Sequence, residues 1–372
     1  MTQILWTDKK TVTSIFDFID VEGEPHKISS VQMDSYLGDI LQHDGKNNLN
    51  ITERLKRGDA AINQICNMLN DLCLGDYYFE AAGVLRNSLL LSTLLSNSES
   101  WYNQTKKDIK DLESKDVKYM RRVLSAHSKT PIEMLYLENG FTPIRFILMS
   151  RRLNFLWYIL QQEPNSLLNK FFSAQLANPK NGDWVLTVKN DLVDLQIDLN
   201  FDDIQRLSKS KFKNIIKEKT KLSALQYLSQ LQETHTKSQN IKYKTLNLQD
   251  YLKPGYNLTI KEKAFIFAAR TRMVDLHSNF KQGKTDLSCR KCHDYEETQE
   301  HLIICKALSD KSIVTSLPNY QDLFSNDKTK VGLIGRLLMA KFKLLKSDTK
   351  CKATCTDIQS GAATENPSVD LE

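Results

Sequence analysis

The chain has 372 residues, 41% hydrophobic and 26% charged, which places it among globular proteins long enough for two or more domains and excludes a wholly disordered chain. Its 51 Lys and Arg against 45 Asp and Glu leave a net charge of +6, an excess that matters only where it clusters. No run of about 18 consecutive apolar residues is present, which argues against a membrane span and a membrane partner.

The 13 Gly and 8 Pro are few for this length and point to long helices over turn-rich sheet. Seven cysteines cannot all be paired, and no apolar signal segment follows a basic start. The expected setting is therefore a reducing intracellular compartment, nuclear or cytoplasmic, and not secretion.

Residues 1–45 are the least helical part. Thr11 to Ile19 and Lys27 to Leu37 are rich in β-branched residues, with Gly23 and Pro25 between them, and predict a short strand pair closed by Gly38 and an Asp44-Gly45 turn. From 46 to 231 the apolar residues take helical spacing. Ile51, Leu55, Ile62, Ile65, Met68, Leu69 and Leu72 predict a helix ending near Cys73. Tyr77 to Leu95 is so apolar that it belongs in the middle of a bundle, with Arg86 its only basic residue. Thr105 to Ala126 predicts an amphipathic helix. In Thr130-Pro131-Ile-Glu133, Thr130 is placed as N-cap, Pro131 at the first helical position and Glu133 at the capping-box position.

Pro143 restarts the chain into a helix over 144–161, where Arg145, Arg151 and Arg152 sit among Phe146, Leu148, Leu153 and Leu156. Charges in so apolar a helix need an outlet: a solvated edge, a carboxylate such as Glu138, or a phosphate. Two more amphipathic helices are predicted over 166–176 and 183–195. Between Arg206 and Lys221 lie seven basic residues, among them Lys209, Lys211, Lys213 and Lys217, against the single carboxylate Glu218. Phe212, Ile215, Ile216 and Leu222 interleave with them at helical spacing, so one side packs and the other is strongly positive. Such a surface attracts polyanions, although charge runs are also common as plain solvated faces.

Residues 232–250 read as a polar linker, and 251–346 as a C-terminal module with a helix from Thr259 to near Leu276 that carries Arg270 and Arg272. Closing helices are predicted over 317–324 and 331–345, and 347–372 reads as a disordered tail.

Within the module, Cys289-Arg-Lys-Cys292 is followed by His301-Leu-Ile-Ile-Cys305. Two cysteines two residues apart can hold one tetrahedral ion from a tight turn, and a His and Cys four positions apart can face it from one helical turn. Cys289, Cys292, His301 and Cys305 thus predict a structural Zn2+ knuckle. Cys289 to His293 also spells the haem-attachment pattern, which would leave His301 and Cys305 without a role.

No catalytic residue is assigned. The only adjacent Asp pair, Asp202-Asp203, follows Asn200 as the first turn of a capped helix would, and there is no Walker-type glycine loop or Gly-x-Ser-x-Gly elbow.

Taken together, several short stretches resemble the part of non-LTR retrotransposon reverse transcriptases, the RNA-directed DNA polymerases with an attached endonuclease, that follows the palm. They are Tyr36-Leu-Gly38-Asp-Ile40 with Asp44-Gly45-Lys46, Tyr78-Phe-Glu80, Leu85-Arg-Asn-Ser88 and Trp101-Tyr-Asn103. The series continues through Met134 to Glu138, Pro143-Ile-Arg145, Arg151 to Phe155, Asp183-Trp184 and Lys209-Ser-Lys-Phe212. It ends with Arg270-Thr-Arg-Met273, Asn279-Phe280 and the Cys-Cys-His-Cys knuckle with Glu300-His301-Leu302.

The resemblance spans most of residues 30 to 310 and implies a mainly α fold. Residues 1–45 would be a β-containing remnant of the palm, 46–231 a helical thumb-like bundle, and 251–346 a small module built on the zinc knuckle. It further implies that the clustered Arg and Lys residues, Arg145, Arg151, Arg152, Lys209, Lys211, Lys213, Lys217, Arg270 and Arg272, contact template RNA or target DNA. The family's Phe/Tyr-x-Asp-Asp motif is not among the residues before Tyr36, so the expected protein is a truncated, nucleic-acid-binding derivative without polymerase activity of its own. It could act with a separate palm-bearing polymerase in trans. The alternative is a structural interaction protein whose zinc only staples the C-terminal module.

Overall fold

The computed structural model describes residues 3–5, 15–19, 25–31, 33–36, 38–42, 46–102, 104–235, 241–281, 285–308, 319–325 and 327–356, with backbone alone in the strands before 32, at 36 and at 348–356. The predicted Asp44-Gly45 turn and the tail from 357 onward lie outside the described residues. The chain divides into two compact units, Met1–Lys253 and Pro254–Glu372, and among the described residues no helix is long and apolar enough to cross a membrane.

The first unit opens with β1 (Gln3–Leu5), β2 (Ile15–Ile19) and β3 (Pro25–Val31), in the order β1-β3-β2, with β3 parallel to β1 and antiparallel to β2. The predicted strand pair is β2 and β3. The run from Lys27 to Leu37 is two strands, because its second half, β4 (Met33–Tyr36), takes a different partner, β5 (Asp39–Gln42). Gly38 turns this hairpin at φ +85°, a left-handed backbone that favours glycine. Asp39 ties the hairpin to the helical body by accepting from Arg54 at 2.5 Å, Asn50 at 3.0 Å and the Asn97 amide.

The helical body comprises α1 (Asn48–Asp71), α2 (Tyr78–Leu85), α3 (Leu91–Leu94), α4 (Lys106–Val123), α5 (Ile132–Asn139), α6 (Ile144–Leu160), α7 (Leu167–Ala177), α8 (Trp184–Asp194), α9 (Phe201–Arg206) and α10 (Lys209–Glu233). The predicted helix from Tyr77 to Leu95 is α2 and α3 joined by a π turn at Arg86–Leu90. Arg86 is buried there and donates to Asp116 of α4 from Nε at 2.7 Å and from Nη2 at 2.5 Å, with Tyr136 of α5 donating to the same carboxylate at 3.1 Å. Apolar stripes on α1, α4 and α6 supply Ile62, Ile65, Leu112, Met120, Leu148 and Leu153 to the core.

Capping follows the sequence at α4, where Thr105 and Asp108 form a capping box, and at α9, where Asn200 accepts from the Asp203 amide at 2.8 Å. It departs at α5. The Thr130 amide closes a turn on the His127 carbonyl, and Pro131, not Thr130, becomes the N-cap. The Thr130 hydroxyl is left buried without a partner, and Glu133 faces His235 at 3.3 Å.

The stretch read as a linker, as far as it is described, packs on α5. Gln232 donates to the Ile241 carbonyl at 2.6 Å, Tyr243 and Tyr251 both donate to the buried Glu138 carboxylate, and the Gln249 amide bonds the Glu138 carbonyl at 3.0 Å. Gly140 ends α5 at φ +66°, and a Cβ there would lie 2.0 Å from the Asn247 carbonyl carbon. Backbone cannot yield as a side-chain tip can, so Gly140→Ala is expected to cost well over about 1 kcal/mol and to lift residues 241–253 off α5. Chemical denaturation and protease cleavage in that segment are the readouts.

The second unit holds α11 (Ile260–Arg270), α12 (Gln299–Ile304) and α13 (Lys328–Thr356). Thr259 and Glu262 form a capping box at the start of α11. The predicted helix to Leu276 stops six residues early because Arg272 turns left-handed at φ +57°, with the Met273 amide reaching back to Ala268 at 2.7 Å. The helix predicted over 317–324 is a 3-10 turn at Tyr320–Phe324. In contrast, α13 runs past Ser347, where a disordered tail was predicted, to Thr356; no Gly or Pro interrupts the sequence from Arg336 to Ser360. Ile266, Phe267, Leu302, Leu323, Ile334 and Leu338 form the core of this unit.

Candidate metal centre

The loop before α12 is folded by its own backbone. The His293 amide bonds the Cys289 carbonyl at 3.0 Å with His293 at φ +60°, which closes the Cys-x-x-Cys turn. The Cys289 amide bonds the Tyr295 carbonyl at 2.7 Å, and Ser288 bridges Glu296 across a short antiparallel pair. Backbone N–H groups of Asp294 and Tyr295 point at the Cys292 sulfur. The Thr298 hydroxyl caps α12 by accepting from the His301 amide at 2.9 Å, so His301 and Cys305 project from its first turn and its end.

These elements bring Cys289, Cys292, His301 and Cys305 together, with their ligand atoms within 4.8 Å of one another. Cys289 Sγ and Cys305 Sγ are 4.0 Å apart, and Cys292 Sγ lies 3.2 Å from His301 Nε2. A tetrahedral ion with bonds of about 2.3 Å to sulfur requires sulfur–sulfur edges of about 3.8 Å, so the cluster has the size of one ion. A disulfide would need its sulfurs at about 2.05 Å, and the cysteines here are free. His293, the axial ligand of the haem reading, is outside the cluster. The four residues could therefore hold a metal ion.

Burial shapes the chemistry of the ligands. It pushes the Cys305 thiol up to about 11, a cost that a bound cation would reverse by stabilising the thiolate. It holds His301 below its ordinary value, which favours the neutral imidazole that ligates metals. Tyr295 packs on the His301 ring at 5.3 Å. Glu297 is fully buried beneath the turn. Burial works to raise its pKa, but Arg290 at 2.7 Å and the amides of Arg290 and His277 outweigh that and leave the carboxylate below its ordinary range. The Arg290–Glu297 pair joins the start of the loop to its end, a contact seven residues apart that no motif announces. No motif marks Lys341 of α13 either, whose ammonium meets the end of α12.

The basic residues divide into two groups. Five arginines are committed within the protein. Arg145 forks onto Glu113 with two contacts of 2.9 Å, and Arg152 onto Asp191 at 2.6 and 2.8 Å. Arg151 donates to the Leu95 carbonyl. Arg270 is buried, donates to the Leu323 carbonyl at 2.6 Å and stacks over Phe324, while Arg272 binds Glu300 at 2.5 Å and lies over Tyr320. The outlet of the α6 arginines is thus Glu113, Asp191 and a carbonyl. Glu138 instead serves two tyrosines.

The lysines of α10 differ. Every fourth residue, Phe212, Ile216, Thr220, Ala224 and Leu228, is buried, with α10 lying against α5 and α6. Lys209, Lys211, Lys213, Lys217 and Lys221 are exposed along the flanks of that stripe, and among the described residues no carboxylate pairs with any of them. Among the described residues, Lys209 alone of these has an aromatic neighbour, Trp157, at 5.8 Å.

Comparison of the chain with protein-family models, with curated proteins and with solved structures found no match.

Proposed function

We propose that the chain is a nucleic-acid-binding protein with a structural zinc site, related to the post-palm region of non-LTR retrotransposon reverse transcriptases. The observation that carries the binding reading is the unpaired lysine face of α10. Lys209, Lys213, Lys217 and Lys221 recur every fourth residue, which spaces them about 6 Å apart along the helix. Such a row can follow the phosphates of one strand without reading bases. Zinc is the ion best suited to three thiolates and an imidazole at tetrahedral spacing, and with all four positions taken by protein it has a folding role.

A filter-binding or anisotropy titration of labelled RNA and duplex DNA against salt tests the reading. Replacing Lys209, Lys211, Lys213 and Lys217 by Gln is expected to weaken binding at least about tenfold near 0.1 M salt. The same change should lower the slope of log K against log salt by about one per lysine that touches a phosphate. Equal binding by the variant and the parent chain would remove α10 as the interface.

The internal commitment of the five arginines favours a second reading, a protein-interaction scaffold in which the metal only staples the C-terminal unit. No binding of either nucleic acid at low salt would select it. Co-purification of a palm-bearing polymerase would instead support action in trans.

A further inference from the structure

Lys341 lies on α13, thirty-six residues beyond the last cysteine of the cluster, and its side chain is buried. Its ammonium donates to the Ile303 carbonyl and lies 3.5 Å from the Cys305 carbonyl. These carbonyls belong to the end of α12, where helical partners run out and the negative pole of the helix gathers. Three thiolates and a neutral imidazole around a divalent ion leave one net negative charge, and Cys289 and Cys305 place much of it in the interior. Unbalanced charge in the interior is costly. Of the two cations in the turn, Arg290 is already neutralised by Glu297, and Lys291 sits beside the less buried Cys292.

We infer that Lys341 is a positioning residue of the metal centre, offsetting the charge of the loaded cluster and so coupling metal occupancy to the seating of α13. The inference rests on the metal reading of the four ligands. Docking of α13 has other anchors. Arg336 pairs with Glu262 at 3.1 Å, Lys346 with Asp275 at 2.9 Å, and Val331, Ile334 and Leu338 are buried. Lys341→Met keeps the aliphatic stem and removes the charge, Lys341→Arg keeps the charge, and Leu338→Ala loosens the helix while leaving Lys341 in place.

The experiment uses the full chain and zinc alone, with affinity read by competition against a chromophoric chelator. K341M is expected to lose about 10- to 100-fold in zinc affinity, the usual effect of removing an outer partner of a metal site. K341R should recover most of that loss, and L338A should lower stability with little change in zinc affinity. Cobalt-loaded K341M should retain the thiolate charge-transfer bands of the parent chain, since no ligand has changed. In the unaltered chain, chelation should raise amide exchange over 337–347 more than over 331–336.

Zinc binding by K341M as tight as the parent's, or by K341R as weak as K341M's, would overturn the inference. If K341M does not fold, amide exchange in the unaltered chain decides: no change over 337–347 on zinc removal would overturn it. An unaltered chain that binds no zinc would remove the metal reading and this inference together, an outcome distinct from normal zinc binding that ignores Lys341.

Discussion

With a metal held by Cys289, Cys292, His301 and Cys305 as proposed, its removal is expected to unfold residues 285–308 while leaving the first unit folded. The loop between Leu287 and Thr298 has few apolar side chains of its own, and its sharpest turn depends on His293 at φ +60°, an unfavourable backbone for a residue with a Cβ. In the proposed account a metal shared by four ligand atoms within 4.8 Å of one another holds the segment, aided by the Arg290–Glu297 pair. Structural zinc contributes on the order of 10 kcal/mol to small domains of this kind, more than the loop's own packing can replace. Chelator treatment, or Cys305→Ala, should therefore open protease sites between 285 and 308 and leave the core around Leu112 and Leu148 protected. Acidification should act in the same direction, because protons compete with the metal for cysteine and histidine. Equal protease resistance of metal-free and metal-loaded protein would show that the cluster is incidental to folding.

The second large effect is expected at Asp116. Arg86 and Asp116 are both almost fully buried, and the pair ties the π turn between α2 and α3 to α4. Burial works against the Arg86 charge, but the Asp116 carboxylate outweighs it and holds the guanidinium pKa above its ordinary value. Asp116→Ala leaves that cation in the interior with the Thr142 carbonyl, the Asn87 side chain and the Phe141 ring as partners. Breaking one side of such a pair costs about 3–5 kcal/mol, which corresponds to a melting-point loss of about 10 °C in a unit of this size. The double variant Arg86→Met with Asp116→Leu should be less destabilised than Asp116→Ala alone, because no charge is stranded. Melting curves and urea midpoints of the variants check both statements. If the double variant were the less stable, the network would be acting through something other than charge pairing.

Periodicity and capping chemistry made most of the helical body legible. The stripes of α1, α4 and α6, the Thr105 and Thr259 boxes and the Asn200 cap all express local rules. The Cys/His cluster was legible for the same reason, since its four residues come from one short window in which type and spacing are constrained together. What escaped the sequence depends on partners far along the chain. Nothing local says that Arg152 meets Asp191, that Glu138 receives Tyr243 and Tyr251, or that Lys341 reaches Ile303. The arginines of α6 illustrate the consequence: an excess of basic residues in an apolar helix has several outlets, and only tertiary structure shows that carboxylates and a carbonyl take them. The α10 lysines stay readable as a charged face because no described residue folds over them.

Elemental analysis of the 372-residue chain purified without added metal, joined to X-ray absorption at the zinc edge, tests the central claim most directly. One zinc per chain in a shell of three sulfurs and one nitrogen is the predicted result. Folded protein that carries no metal, or that carries haem, would contradict it.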